Sequence, residues 1–242
     1  MKSLDLFSCI GCHALGFERA GIETVAFCEI DLHRRLIIGT HFPNHFVYRD
    51  IKTLHEDCQH YDTLKADILI GGPPCQETSV AAAIHGKRTG ASLWHWMLRT
   101  GLDLGSEWIV VEQPPGNAEW EAKVALDLSG SSYHVARFEF GACDVGAPYL
   151  RRRVFLVACT SLSRLAVTRR ALPSAIEAVK RAANARGDWD ADQLRSLRVD
   201  ARSAGEMDDG QSLGRRSRIE ALGDSNPPHM AEAIGRAIAA AA

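Results

Sequence analysis

The sequence predicts an α/β fold, a mostly parallel sheet with helices on both faces. Short apolar runs of strand length recur at Ser3–Phe7, Thr24–Cys28, Ile68–Ile70 and Trp108–Val111, each bounded by turn residues. Between them, Ala14–Ala20 and Asp31–Thr40 read as helices, and Leu93–Leu104 has apolar residues at helical spacing. Strands alternating with helices imply parallel strands joined by helical crossovers. Size agrees: 242 residues at 46% hydrophobic content are enough for one well-buried domain.

Taken in order, Ser3–Phe7 is the first strand and Cys9–Cys12 its turn. The helix over Ala14–Ala20 stops at Gly21, a residue suited to a helix C-terminus. Thr24–Cys28 is the second strand, with Glu29 at its tip. Asp31–Thr40 is helical until Pro43 stops it. Val47 and Tyr48 lead to Asp50, and Ala66–Ile70 is a buried strand that runs into two glycines and two prolines. The glycines permit a sharp turn there and the prolines stiffen the exit. Ser79–Gly90 reads as a mobile loop, Leu93–Leu104 as a helix, and Trp108–Val111 as a strand ending at Glu112. Tyr133–Phe140 and Val154–Ala158 close the sheet.

The composition changes near Thr160. From Arg164 to Arg218, eleven Arg and one Lys against two Glu and six Asp leave a net charge of +4. Two helices are expected here. Ser174-Ala175-Ile176-Glu177 has the form of a capping box with Gly187 beyond the far end, and Asp190 caps a second helix through Arg202. Ser203–Gly214 is polar and glycine-bearing, hence a linker.

The whole chain carries a net charge of −2, so a nucleic-acid partner would have to be met by local patches. Seven scattered cysteines and no secretory signal point to a reduced, cytoplasmic protein. Nothing approaches the roughly 18 uninterrupted apolar residues of a membrane span. Cys9 and Cys12 have no partnering Cys/His pair, so no metal is expected.

The chemistry centres on Gly71-Gly72-Pro73-Pro74-Cys75-Gln76-Glu77-Thr78-Ser79. A cysteine delivered from the C-terminal tip of an α/β strand stands where such sheets hold their ligands. Taken alone it could equally be a buried structural thiol. The stretch resembles the nucleophile motif of the cytosine C5 DNA methyltransferases, and other motifs follow in that family's order. Asp5-Leu6-Phe7-Ser8-Cys9-Ile10-Gly11 is similar to the cofactor loop, and Val111-Glu112-Gln113-Pro114 to the Glu-Asn-Val motif. Pro148-Tyr149-Leu150-Arg151-Arg152-Arg153 is similar to Pro-Gln-x-Arg-x-Arg, and Gly223-Asp224-Ser225-Asn226-Pro227-Pro228 to the closing Gly-Asn-x-Val-Pro-Pro. Together they cover residues 4 to 159 and 220 to 239.

The resemblance implies a Rossmann-like methyltransferase fold using S-adenosylmethionine, in the compact form of the shorter bacterial or phage enzymes. It casts Cys75 as the nucleophile, Glu112 as the acid that holds N3 and the exocyclic amine of cytosine, and Arg151 and Arg153 as supporting cations. Arg152 should point to the opposite face of its strand. Phe7, Ser8, Cys9, Ile10, Gly11 and Pro73 would surround the donor, Glu29 and Ile30 would meet its ribose and adenine, and Asp50 and Ile51 the adenine. Gln76, Ser79, Lys87 and Arg88 would contact the nucleic acid around a flipped base. The implied division is a catalytic core over residues 1–159, a short target-recognition segment over 160–219, and a closing motif and helix over 220–242 that return to the core. The expected partner is double-stranded DNA, read over roughly two to four base pairs, and the expected state is a monomer.

The departures are concrete. Cys9 and Cys12 stand where the family has glycines, Gln113 and Tyr149 where it has Asn and Gln, and Asp224 and Asn226 where it has Asn and Val. They leave open a modified methyl donor, action on tRNA, or a catalytically degenerate nucleic-acid-binding paralogue. The RNA-acting branch carries a Cys-Phe-Thr signature that this sequence lacks.

Overall fold

A computed structural model of the chain describes residues 1–57, 64–74, 92–189 and 226–242. Cys75, Gln76, Ser79, Lys87 and Arg88, the expected loop over Ser79–Gly90, the expected helix over Asp190–Arg202 and the linker after it, and Asp224 lie outside the described residues.

The described strands form one sheet in the order β3-β2-β1-β4-β5-β7-β6. They are β1 (Lys2–Leu6), β2 (Glu23–Cys28), β3 (Phe46–Tyr48), β4 (Ile68–Gly71), β5 (Trp108–Gln113), β6 (His134–Gly141) and β7 (Arg152–Cys159). The first five pair in parallel, and β7 runs antiparallel between β5 and β6. This is the mostly parallel sheet the alternation predicts, in the Rossmann-like form the resemblance implies.

Helices α1 (Cys12–Arg19), α6 (Leu162–Arg186) and α7 (Pro228–Ala239) cover one face, packing Phe17, Leu172, Val179 and Ile234 on Ile70, Val110, Phe155 and Val157. Helices α4 (Trp94–Asp103) and α5 (Ala118–Gly130) cover the other, packing Trp94, Met97, Trp120 and Val124 on Leu69, Ile109 and Leu156. Two further helices, α2 (Leu32–His41) and α3 (Leu54–Asp57), flank β3 in the chain. Burial on both faces is why Trp108–Val111 reads as a continuous apolar run. No helix among the described residues is long and apolar enough to cross a membrane.

One local expectation is corrected. Ser174 does not start a helix: α6 runs unbroken from Ser161, whose side chain accepts from the Arg164 N–H at 3.4 Å, through Pro173 to Gly187. Its buried residues Leu165, Thr168, Leu172, Ala175, Val179 and Ala183 keep helical spacing across the proline, so packing overrides the local capping signal. The paired glycines also supply clearance, and neither has a positive φ. A Cβ on Gly71 would lie 2.5 Å from the Leu6 carbonyl oxygen, and one on Gly72 would lie 2.9 Å from Glu112 Oε2.

The topology fixes where ligands go. From β1 the chain passes to β2 and β3 on one side, then crosses to β4 and β5 on the other, which opens a crevice at the C-terminal ends of β1 and β4. Because β7 runs the opposite way, its N-terminal arginines reach that same edge of the sheet.

Candidate active site

The turn after β1 is unusual. Phe7 (φ 55°), Cys9 (φ 52°) and Gly11 (φ 81°) are all left-handed, and only the last is a glycine. The N–H groups of this turn are held within the protein: Ser8 donates to the Cys28 carbonyl at 3.1 Å, Cys9 to Glu29 and Gly11 to the Ser8 carbonyl. Ser8 works as a strut: its hydroxyl donates to the Asp5 carbonyl at 2.7 Å and accepts from the Cys28 N–H at 3.2 Å. Gly11 then opens α1, and the cap that glycine cannot give comes from Asp5, whose carboxylate meets the Ala14 N–H in the first turn.

At the tip of β2, Glu29 is buried and ties two loops together. Its Oε2 accepts from the Cys9 N–H at 2.7 Å and its Oε1 from the Asp31 N–H at 2.9 Å. Burial pushes its pKa up, against the opposing effect of those two hydrogen bonds. Ile30 beside it is exposed. At the neighbouring β3 tip, Asp50 is half-buried and accepts from the Lys52 N–H at 3.0 Å, while Ile51 is a core residue. The four residues expected to meet ribose and adenine thus stand at adjacent strand tips.

The other half of the site lies across the crevice. Glu112, at the β5 tip, is 6% exposed, and its Oε1 is 2.6 Å from Arg153 Nε. The antiparallel register accounts for this meeting, because Glu112 lies opposite Phe155 and Arg153 is two residues back on the same face. Arg152 points the other way, as expected, and donates to Glu139 Oε1 at 3.0 Å. Arg151 immediately precedes β7, also with a positive φ (28°). Gln113 Nε2 donates to the Pro73 carbonyl at 2.7 Å. The longer amide at this position therefore pins the loop that carries Cys75 two residues further along the chain.

Between the two halves is a cavity of about 30 Å³, lined among the described residues by Phe7, Ser8, Cys9, Cys12, His13, Gly72, Glu112 and Asn226. It brings together the loop after β1, Glu112 and the closing motif. Ile10, expected beside the donor, is half-buried in the loop but does not line this cavity.

His13, which lines this cavity, and Asp5, which pairs with it, are residues to which the sequence reading gave no role of their own. Asp5 is fully buried, accepts from the Ala14 N–H at 3.3 Å, and has Oδ1 3.5 Å from His13 Nδ1. Burial alone would lower the His13 pKa, but the Asp5 carboxylate, with help from Glu112, outweighs it and holds it above the ordinary value. The available signal was a histidine in the first turn of the helix after a ligand-cradling loop, eight residues beyond a strand-borne aspartate.

Comparison with known proteins gives the family and the fold. Residues 1–190 match the family model described as C-5 cytosine-specific DNA methylase. The Type II methyltransferase M1.HphI of Haemophilus parahaemolyticus is 31% identical over 167 residues, covering 64% of this chain and 44% of that protein. M.FnuDI of Fusobacterium nucleatum is 31% identical over 166 residues, covering 65% and 46%. The match therefore spans less than half the length of either relative. Among solved structures, one described as a DNA modification methyltransferase encoded within an E. coli prophage superposes with a TM-score of 0.55 at 26% identity, over 66% of this chain and 46% of that one. Spodoptera frugiperda DNMT2 shares the fold, with a TM-score of 0.55 at 21% identity over 66% and 50%. With its motifs in order on this sheet and the family model spanning most of its length, the chain belongs to the C-5 cytosine-specific DNA methylase family.

Proposed function

We propose that this chain is a DNA (cytosine-5-)-methyltransferase that moves the methyl group of S-adenosylmethionine to C5 of a flipped-out cytosine, with Cys75 as nucleophile. The observation that carries the reading is the buried Glu112–Arg153 pair beside Gly72, three residues before Cys75. C5 of cytosine is a poor nucleophile in an aromatic ring. Addition of the Cys75 thiolate at C6, with a proton reaching N3, makes C5 electron-rich. Glu112 handles that proton and holds the exocyclic amine. Arg153 Nε forms an ion pair with Oε1, and Oε2 lies on the side of Gly72. Once C5 carries the methyl group, loss of its proton restores the C5–C6 double bond and expels the thiolate. Arg151 adds positive charge at the same edge.

The residues fit the donor. Each Glu29 oxygen accepts one backbone N–H and keeps a lone pair for a ribose hydroxyl, and polar atoms of Asn226 and His13 in the cavity lack partners. When bound, S-adenosylmethionine supplies an electrophilic methyl group.

The packing of α6 into the core argues for a target-reading segment narrower than residues 160–219, beginning after Gly187. A segment that short reaches few base edges, each good bidentate contact giving about 1–3 kcal/mol of discrimination. Relatives named Type II methyltransferases support a role in restriction and modification. Incubation of duplex DNA and of tRNA with methyl-labelled S-adenosylmethionine tests the proposal. Label should enter DNA alone, and mapping of the modified cytosines should give a site of roughly two to four base pairs. Label in tRNA alone would overturn the substrate, and no label in either would overturn the activity.

A further inference from the structure

The described residues stop at Trp189 and resume at Asn226, on either side of most of the proposed target-reading segment. The two ends meet. Asp188, just past the Gly187 that ends α6, has Oδ2 2.7 Å from Nε2 of His229 in the first turn of α7. The next residue, Trp189, sets its indole against the His229 ring, with centroids 4.4 Å apart. The same indole meets Tyr149 edge-on at 6.1 Å and packs beside Gly146, where a Cβ would come within 3.2 Å of Trp189 Nε1. Tyr149 is two residues before Arg151. One aromatic cluster thus joins both ends of that segment to the arginine motif.

The groups around it are charged and largely buried. Arg186 Nη2 lies 2.8 Å from Asp188 Oδ2 and 3.7 Å from Glu232 Oε2, and the fully buried Glu232 also takes Arg236 at 2.8 Å. Burial raises the Asp188 carboxyl, and the hydrogen bonds from Arg186 and His229 outweigh it and hold the pKa below the usual value. Burial, only partly offset by Asp188, holds the His229 imidazole below its ordinary value. His229 is therefore uncharged at neutral pH and donates from Nε2 to an ionised Asp188, and its Nδ1 is a buried acceptor without a partner. Trp189 Nε1 is buried and unsatisfied as well. Apolar packing would stabilise such a junction better than buried charges and orphaned nitrogens do. What the cluster supplies instead is one fixed arrangement.

We propose that Asp188, Trp189, His229 and Tyr149 form a clasp that closes the base of the target-reading segment and sets its orientation against Arg151 and Arg153. Trp189 and His229 are then positioning residues for DNA recognition, acting through the segment whose ends they hold. The proposal rests on the reading of this chain as a DNA methyltransferase. Misplacing bound groups by about 1 Å costs up to about a hundredfold in rate, so a reader and a reacting centre built on different elements need such a link. The clasp also gives a partner to Tyr149, which stands where the family pattern has Gln.

Methylation kinetics on two duplexes test it, one carrying the mapped target site and one with a single base pair of that site changed. Trp189→Ala and Tyr149→Gln should each raise KM for the target duplex and cut the ratio of kcat/KM between the two duplexes roughly fivefold or more. Trp189→Phe, which keeps a ring against His229, and His229→Gln, which keeps a donor for Asp188, should hold that ratio within about twofold of the unmodified protein, and His229→Leu should not. S-adenosylhomocysteine affinity by calorimetry should move less than about twofold in Trp189→Ala and Tyr149→Gln. A merely structural role would instead lower turnover on both duplexes in proportion and leave the ratio unchanged. Tyr149 is half-exposed, so Tyr149→Gln decides the question if Trp189→Ala fails to fold. An unchanged ratio in the folded variants would overturn the clasp alone. No methylation of either duplex by the unmodified protein would overturn the proposed function itself.

Discussion

Cys9 shows most plainly how single residues set this site. Its φ of 52° is a conformation that a Cβ disfavours by roughly 1–2 kcal/mol, so the position is built for glycine and occupied by something else. Cys12, the other departure from the glycine pattern, is different. It is the first residue of α1 and is not among the residues with positive φ. The two substitutions look equivalent in the sequence, and only the backbone separates them. Chemical denaturation should therefore rank variants in opposite orders at the two positions. Cys9→Gly should be more stable than Cys9→Ala by about 1–2 kcal/mol, whereas Cys12→Ala should exceed Cys12→Gly by up to about 1 kcal/mol. The same order at both positions would show that left-handed strain is not what Cys9 carries. His13 and Asn226 mark the limit of reading residues from sequence. Each becomes meaningful only through unsatisfied atoms that share a cavity, and that depends on α1 and α7 meeting.

At the scale of elements, the meeting of α1 and α7 is made possible by glycine. A Cβ on Gly16 would overlap the Pro228 carbonyl oxygen and approach Ala231 Cβ and the Glu232 nitrogen to 2.7 Å, and one on Gly235 would approach Ala20 Cβ to 2.9 Å. Gly16→Ala should thus destabilise the protein by about 1–3 kcal/mol and loosen donor binding with it, since it displaces the lead-in that holds Asn226. Equilibrium denaturation checks the first effect and calorimetry with S-adenosylhomocysteine the second. A stabilised Gly16→Ala, as helix propensity alone would give, would contradict the packing. The central strands and α1, α2 and α4 were legible because uniform burial or clear helical spacing marks them. Helix α5 was missed because its buried Trp120, Val124 and Leu128 are diluted by acidic, alanine and exposed leucine positions. The start of α6 was misplaced because Ser174 and Glu177 form a convincing local cap, while the long-range contacts that overrule it leave no mark on four residues.

For the whole molecule, the sheet order explains why residues spread from position 5 to position 226 converge. Parallel strands send the β1 loop, Glu29, Asp50, Gly72 and Glu112 to one edge, and the single antiparallel strand β7 brings Arg153 back to the same edge. The motif order in the sequence named most of these residues, because each short motif ends at a strand tip. It could not reveal that Gln113 holds the Pro73 carbonyl, or that Gly72 is small to make room for Glu112, since both depend on neighbours about 40 residues apart. In the proposed reaction the Cys75 thiolate adds to C6 of a cytosine while Glu112 and Arg153 hold the base. Duplex DNA bearing 5-fluorocytosine at the target, incubated with S-adenosylmethionine, tests it most directly, because fluorine at C5 cannot leave as the proton does and the adduct stalls. The account predicts a denaturation-resistant protein–DNA adduct that Cys75→Ser abolishes and Glu112→Gln sharply reduces. An adduct that survives Cys75→Ser, or methyl transfer to ordinary cytosine with no adduct on the fluorinated base, would contradict it.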